Sequence, residues 1–358
     1  RGSARARTRP LGGRVIRLGI DATSVAPNGK GIARVQRGTV EALAALGRHE
    51  LVVFARHPEE LPGVPVERVT LRPALVWEQV GLSRAIQAQR LDALLTWTER
   101  LPLTGGGRFL VWLFEPPTLR IHQNRVVGAG AYQRASDLVT LALWRRSLDR
   151  AAIVFTGSDA TAEALPRSAA RVRTLYPGLD PRFSPGPGAD EGRFVLHLGS
   201  SDPRDDTETA LAAFERARPR LPEGTRLRVV GGFDGPPAEG VDYLGRVSDE
   251  ELVSLYRGAL AYLDASLYEG FGYQVLEAMA CGTPVVATRV TSIPELADGA
   301  ALLCEARDVH ALADALVSVA TDPVLAGRLR GEGLARSGTF TWERTATELA
   351  AAVEEVVG

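Results

Sequence analysis

Short apolar runs alternate along the chain with longer stretches in which apolar residues recur every three or four positions. That rhythm predicts strands alternating with helices, and so βα units on parallel sheets. RVIRLGID reads as a first strand, APNGKG as a Gly-containing loop, IARVQRGTVEALAAL as a helix and ELVVFAR as a second strand. LDALLTW, RFLVWLF and IVFTG are further strands, and WEQVGLSRAIQAQR and ASDLVTLALWRRSLDR further helices. The stretch PGLDPRFSPGPGADEG, from Pro177 to Gly192, has no period and is rich in Pro and Gly, so it reads as a linker. The rhythm restarts with RFVLHLG, TETALAAFERARP, RLRVVGG, VDYLG, SDEELVSLYRGA and ALAYLDAS. SDEEL carries a helix-start signal, with Ser248 able to cap and acids in the first turn. TWERTATELAAAVEEVV closes the sequence as an amphipathic helix.

Two such βα domains joined by a linker imply a central cleft faced by the C-terminal edges of both sheets. The expected division is a basic leader over 1–13, with Arg1 to Ser3 read as a cloning scar, then a Rossmann-like N-terminal domain over 14–180. A linker over 181–192, a C-terminal Rossmann-like domain over 193–340 and a final helix over 341–358 complete it.

Composition narrows the function classes. The 358 residues are enough for two ordinary cores, and the net charge of −1 gives no hint of nucleic-acid binding. Only Cys281 and Cys304 occur, both in apolar surroundings, which speaks against a disulfide framework or a zinc site and for a reduced, cytoplasmic setting. Cys281 is expected to be buried and inert. No apolar stretch approaches the roughly 18 residues of a membrane span.

The stretch LYEGFGYQVLEAMACGTPVV, from Leu267 to Val286, carries the candidate chemistry. Glu269 and Glu277 stand eight residues apart, and the helix between them is expected to begin near Gly272 or Tyr273. The first amides of a helix lack intrahelical partners and its dipole is positive there, so that end can hold an anion. Gly270 and Gly272 allow close backbone approach. A phosphate group flanked by two polyhydroxyl rings suits this layout, because a carboxylate on each side can accept hydrogen bonds from a ring. The alternative is that both glutamates are solvated residues at helix ends.

EGFGYQVLEAMACGTPVVA resembles the glutamate-x7-glutamate signature of the family 4 glycosyltransferases, which have the GT-B fold and mostly retain anomeric configuration. HLGSSDPRDDTETALAAFERA, YLGRVSDEELVSLYRGA, TSIPELADGAALLCEARD and FTWERTATELAAAVEEV resemble other parts of that family, and the likeness is good over roughly residues 150 to 355. It implies an α/β GT-B protein whose last helix crosses back to the N-terminal, acceptor-binding domain. It also implies a nucleotide diphosphate sugar as donor, no further cofactor and no bound metal. The acceptor would be a hydroxyl compound such as a saccharide, a natural product or a lipid-linked glycan; the oligomeric state stays open.

Residue by residue, the resemblance gives Glu277 the ribose hydroxyls and Glu269 the transferred sugar. Gly270, Phe271, Gly272 and Tyr273 meet sugar and diphosphate through their amides, Arg246 and Val247 cradle the base, and Arg204 grips the diphosphate. Two departures stand out. Arg204-Asp205-Asp206 replaces the family's common Arg-Lys-Asn, so an aspartate occupies the place of a phosphate-facing lysine. The alternative to a lost phosphate contact is that Asp205 points to solvent and that Asp206 or Thr207 caps the next helix; for Asp206 that role is the favoured expectation. Phe114-Glu115-Pro116-Pro117 replaces a common His-Asp, which makes Glu115 and His122 catalytic candidates, with Trp97 and Glu99 as possible lining of the acceptor site. Lys30, between Gly29 and Gly31, is the only lysine, every other basic residue among the 42 being arginine. In the first loop of the N-terminal domain it is a candidate for the missing positive charge at the diphosphate. The rivals are a non-catalytic GT-B protein that binds nucleotide sugar as a regulatory partner, and a GT-B epimerase or phosphorylase.

Overall fold

The structure, a computed structural model, describes residues 15–27, 29, 31–118, 121, 130–166, 171–188 and 194–358. Lys30, His122, the leader and the end of the expected linker lie outside the described residues. The chain divides into two compact units, Arg1–Gly178 with Thr341–Gly358, and Leu179–Phe340.

The first unit is built on a parallel seven-stranded sheet in the order β3-β2-β1-β4-β5-β6-β7. Its strands are β1 (Arg17–Asp21), β2 (Glu50–Ala55), β3 (Val66–Arg68), β4 (Ala93–Thr96), β5 (Phe109–Leu113), β6 (Ala151–Thr156) and β7 (Val172–Thr174). A central parallel strand is covered on both faces, which is why FLVWL in β5 is buried at all five positions. Three-residue β3 and β7 at the edges escape sequence reading because they are short and half-polar.

The helix expected over residues 77–90 is more irregular. Trp77–Gly81 forms a π turn, followed by an α-helix over Leu82–Ala88. Gly81 makes this possible, since a Cβ there would lie 2.2 Å from Cε3 of Trp77. The turn brings the Trp77 indole N–H to Asp21 at 3.1 Å. The last helix, Trp342–Val357, belongs to this unit. Thr341 caps it, Arg48 pairs with Glu354 at 2.7 Å, and Trp342 lies against Gly38, where a Cβ would come within 2.2 Å of its ring.

The second unit carries a parallel six-stranded sheet in the order β10-β9-β8-β11-β12-β13. The strands are β8 (Phe194–Gly199), β9 (Arg226–Gly231), β10 (Val241–Gly245), β11 (Ala261–Asp264), β12 (Val285–Thr288) and β13 (Ala301–Cys304). The core packs β8, β9, β11 and β12 against the helices Thr207–Ala217 and Val309–Thr321 through Phe214, Leu227, Leu263, Leu312 and Leu316. Ser248 forms a full capping box with Glu251, as the SDEEL signal predicted. The expected linker is described as far as 188, and it lies on this unit. Arg257 Nε donates to the Ser184 carbonyl at 2.7 Å, and a Cβ on Gly188 would lie 2.2 Å from the Gly258 amide. Among the described residues no single helix is long and apolar enough to cross a membrane.

Candidate functional site

In an open parallel sheet, ligands bind beyond the strand ends where the winding direction reverses. In the second unit that point lies between β8 and β11. The loop after β8, residues 200–206, and the loop after β11, residues 265–272, therefore flank it, and each carries candidate residues.

The second loop runs into the helix Tyr273–Ala280, so the expected start was right. Gly272 sits at φ 95°, the left-handed region that favours glycine, and a Cβ there would lie 2.6 Å from Cδ1 of Ile293. Thr291 and Ser292 hold the loop in place. The Thr291 hydroxyl accepts from the Glu269 amide at 3.0 Å and lies 2.7 Å from the Glu269 carbonyl. The Ser292 hydroxyl reaches the carbonyls of Glu269 and Phe271 at 3.1 and 2.8 Å. Phe271 is buried, with Tyr273 edge-on to its ring at 4.9 Å.

Neither glutamate is a solvated helix-end residue. Glu277 is only 4% exposed, in the second turn of the helix, and Tyr256 places its hydroxyl 3.3 Å from Oε2. Glu269 is half-buried, and its Oε1 lies 3.3 Å from the Ser266 hydroxyl. Burial pushes its carboxyl up to about 8, with the carboxylates of Asp264 and Asp205 adding to the rise. The Ser266 hydrogen bond and the charge of Arg204 act in the opposite sense.

The first loop is closed on itself. The Arg204 guanidinium is held by Asp202, with Nε 3.0 Å and Nη2 2.7 Å from Oδ2. Asp205 does not point to solvent. It is half-buried and takes a short hydrogen bond from Ser200, and burial raises its pKa, helped by Asp202 and Asp264. Ser200 also accepts the Asp202 amide at 3.0 Å, so one hydroxyl turns the aspartate inward.

Asp206 occupies the cap position of the helix Thr207–Ala217 but makes no side-chain cap bond. Its backbone is left-handed, φ 42° and ψ 47°, whereas a capping residue is extended. Its carboxylate takes the Thr209 hydroxyl at 2.8 Å instead.

Beneath both loops, His197 of β8 is buried between the Leu263 carbonyl, 2.9 Å from Nδ1, and the Thr207 hydroxyl, 3.2 Å from Nε2. The carbonyl only accepts, so Nδ1 carries the proton and Nε2 accepts from Thr207. Burial lowers the pKa of this imidazole. Asp264, at the end of β11, is buried and accepts from the Ser266 amide at 3.0 Å.

Arg246 and Val247 lie between β10 and the capped helix Asp249–Gly258, with Arg246 exposed. Cys281 is buried, its thiol pushed up to about 12 chiefly by burial. In the first unit, Gly29 and Gly31 lie in the loop after β1, at the reversal between β1 and β4. Gly31 has φ 56°. Asp21, at the end of β1, is a buried hub taking bonds from the Trp77 indole at 3.1 Å, the Thr96 hydroxyl at 2.9 Å and the Thr23 hydroxyl at 2.7 Å. Glu115 follows β5 and is half-buried, and Trp97 stacks on Trp112 with ring centres 5.9 Å apart. Among the described residues no group of three or more His, Cys, Asp or Glu side chains could hold a metal ion.

Sequence reading missed Asp202, Asp264, Ser266, Thr291, Ser292 and Tyr256 in the second unit, and Asp21 in the first. An Asp-Pro-Arg turn was the one available signal, for Asp202.

Two parallel sheets with flanking helices and the returning last helix make this a GT-B fold. Residues 192–322, within the second unit, match the family model described as glycosyl transferases group 1. The chain is 34% identical over 171 residues to the O-antigen chain mannosyltransferase B of Escherichia coli, an alignment covering 43% of this chain and 44% of that protein. It thus spans less than half the length of that relative. Its structure is similar to sucrose-phosphate synthase of Thermosynechococcus elongatus, with a TM-score of 0.72 and 21% identity over 95% of this chain and 98% of that one. It is also similar to Anabaena HepE in complex with UDP and glucose, with a TM-score of 0.68 and 17% identity over 95% and 100% of the two chains.

Proposed function

We propose that this protein is a glycosyltransferase that moves a sugar from a nucleotide diphosphate sugar to an acceptor hydroxyl. The observation that carries the reading is the pair Glu269 and Glu277 on either side of the helix start at Tyr273, one half-buried and one buried, beside the loop of Arg204, in a stretch that matches the group 1 family model. Glu277 takes the ribose hydroxyls and Glu269 the hydroxyls of the transferred sugar. The amides of Gly270, Phe271, Gly272 and Tyr273, with the Arg204 guanidinium, receive the diphosphate, since a helix start and an arginine fork both suit phosphate. Arg246 and Val247 lie beside the base. In the first unit Glu115, just after β5, serves the acceptor.

The acceptor oxygen bonds to the anomeric carbon as the bond from that carbon to the diphosphate breaks. The acceptor proton passes to the departing diphosphate. The protein supplies positioning and charge stabilisation. Retention of configuration, independence of metal and a cytoplasmic setting belong to the same reading; the two free thiols support the last.

The test is transfer itself. The protein is incubated with UDP-, GDP-, dTDP- and ADP-sugars and mixed acceptors, with and without a chelator. Released nucleotide is measured, and the anomeric configuration of the product is read by NMR. Glycoside formation with retained configuration and no loss on chelation supports the reading. One observation favours a second reading: Asp205, next to Arg204, adds a carboxylate whose charge acts on Glu269, and a carboxylate there opposes the binding of an anion. Nucleotide binding with no turnover on any acceptor would favour a non-catalytic binding partner.

A further inference from the structure

Tyr256 and Glu277 stand 21 residues apart on two helices, Asp249–Gly258 and Tyr273–Ala280, and both are buried. Two bridges join them. The side-chain bridge is the Tyr256 hydroxyl, 3.3 Å from Oε2 of Glu277. The backbone bridge runs through Thr283. Its hydroxyl donates to the Tyr256 carbonyl at 2.5 Å, and its amide donates to the carbonyl of Ala278, the residue after Glu277, at 2.9 Å. The spacing between the phenol and the carboxylate is therefore set by the backbone as well as by the side chains.

The Tyr256 ring has little freedom. Phe183 and Tyr262 meet it edge-on, with ring centres 6.0 and 5.5 Å away. The neighbours of Phe183 are fastened to the helix of Tyr256 at both ends. Arg182 pairs with Asp249 at 3.1 Å at its start, and the Ser184 carbonyl accepts from Arg257 Nε at 2.7 Å at its close. The stretch read from sequence as a linker thus presses one aromatic ring onto the phenol. Burial, with the charge of Glu277 adding to it, raises the pKa of Tyr256. The phenol keeps its proton and donates, and the carboxylate accepts.

We infer that Tyr256 is a positioning residue that orients the Glu277 carboxylate for the ribose of the donor. This rests on the ribose role given to Glu277 above. The last torsion of a glutamate side chain is broad, so an unguided carboxylate samples many orientations. Accepting from two neighbouring ribose hydroxyls demands one of them. A hydrogen bond from a locked ring narrows the choice before the nucleotide arrives, and the ordering cost on binding falls. A buried phenol needs a partner wherever it lies, and a purely structural role would end there. The two roles differ in what they do to the ribose: orientation of Glu277 affects only a sugar whose hydroxyls reach it, whereas general loosening of the core does not distinguish one sugar from another.

The experiment is calorimetry on the full chain with the nucleoside diphosphate of the base that the parent prefers, in its ribose form and in its dideoxyribose form. Tyr256→Phe keeps the ring and removes only the hydroxyl. It should weaken the ribose form about five- to tenfold and leave the dideoxyribose form within about twofold of the parent. Binding of the dideoxyribose form also checks that the variant is folded. On a Glu277→Ala background, the same change should alter affinity for the ribose form by less than about twofold, because Tyr256 acts through Glu277. Unchanged affinity of Tyr256→Phe for the ribose form overturns the inference. So does an equal loss for both sugar forms, or a loss of the same size with and without Glu277. A parent protein that binds neither form, or binds both equally, removes the ribose role of Glu277 itself, and with it this one.

Discussion

The amide of Leu267 donates to the carbonyl of Arg204 at 2.7 Å. That bond ties the loop of Arg204 to the loop of Glu269, and Thr291 and Ser292 hold the second loop from its other side. The candidate donor site is thus an assembly of three strand-end loops rather than one motif.

Ser292→Ala tests the outer tie. It withdraws one buried hydroxyl proton that serves the carbonyls of Glu269 and Phe271. The expected cost is about 1–2 kcal/mol of stability, measured by urea denaturation, together with weaker nucleotide binding. Unchanged stability and affinity would mean that the loop holds its shape without Ser292.

Gly272→Ala tests the helix start. The added methyl group meets Ile293 at 2.6 Å, and φ 95° is strained for any side chain. The variant should lose about 1–3 kcal/mol in the same denaturation measurement. A change below about 0.5 kcal/mol would contradict the assigned backbone.

The βα rhythm was legible because strands covered on both faces read as unbroken apolar runs, as in FLVWL of β5. The motif helix was legible because Gly272 marks its start and Glu277 lies within one continuous element. The supports of Glu269 were not. Thr291 and Ser292 stand 22 and 23 residues from it, and no local period links them. The inward turn of Asp205 was not legible because a local charge argument cannot see that Ser200 folds back to bond it. Asp206 was misread because a capping residue type does not reveal a left-handed backbone. The π turn at Trp77–Gly81 shares the apolar spacing of an ordinary helix, and only its contact with Asp21 shows why the helix is widened.

The lifted carboxyl of Glu269 sets a pH dependence. Its folded value of about 8 lies above its ordinary 4.5, so between these values the folded chain binds more protons than the unfolded one. Stability then falls as pH rises from about 4.5 to about 8. Glu269→Gln cannot ionise and should flatten that decline, measured as ΔG of unfolding against pH for both proteins. Parallel curves for parent and variant would show that Glu269 titrates as it does in the unfolded chain.

The central claim is that the second unit grips a nucleoside diphosphate, with Glu277 on the ribose. The direct measurement is calorimetric affinity of parent and Glu277→Ala for UDP, GDP, dTDP and ADP, with folding of the variant checked by circular dichroism. A charge-assisted hydrogen-bond pair of about 1.5–3 kcal/mol is removed, so the preferred nucleotide should bind roughly 10- to 150-fold more weakly. Equal affinity in a folded Glu277→Ala protein would contradict the account.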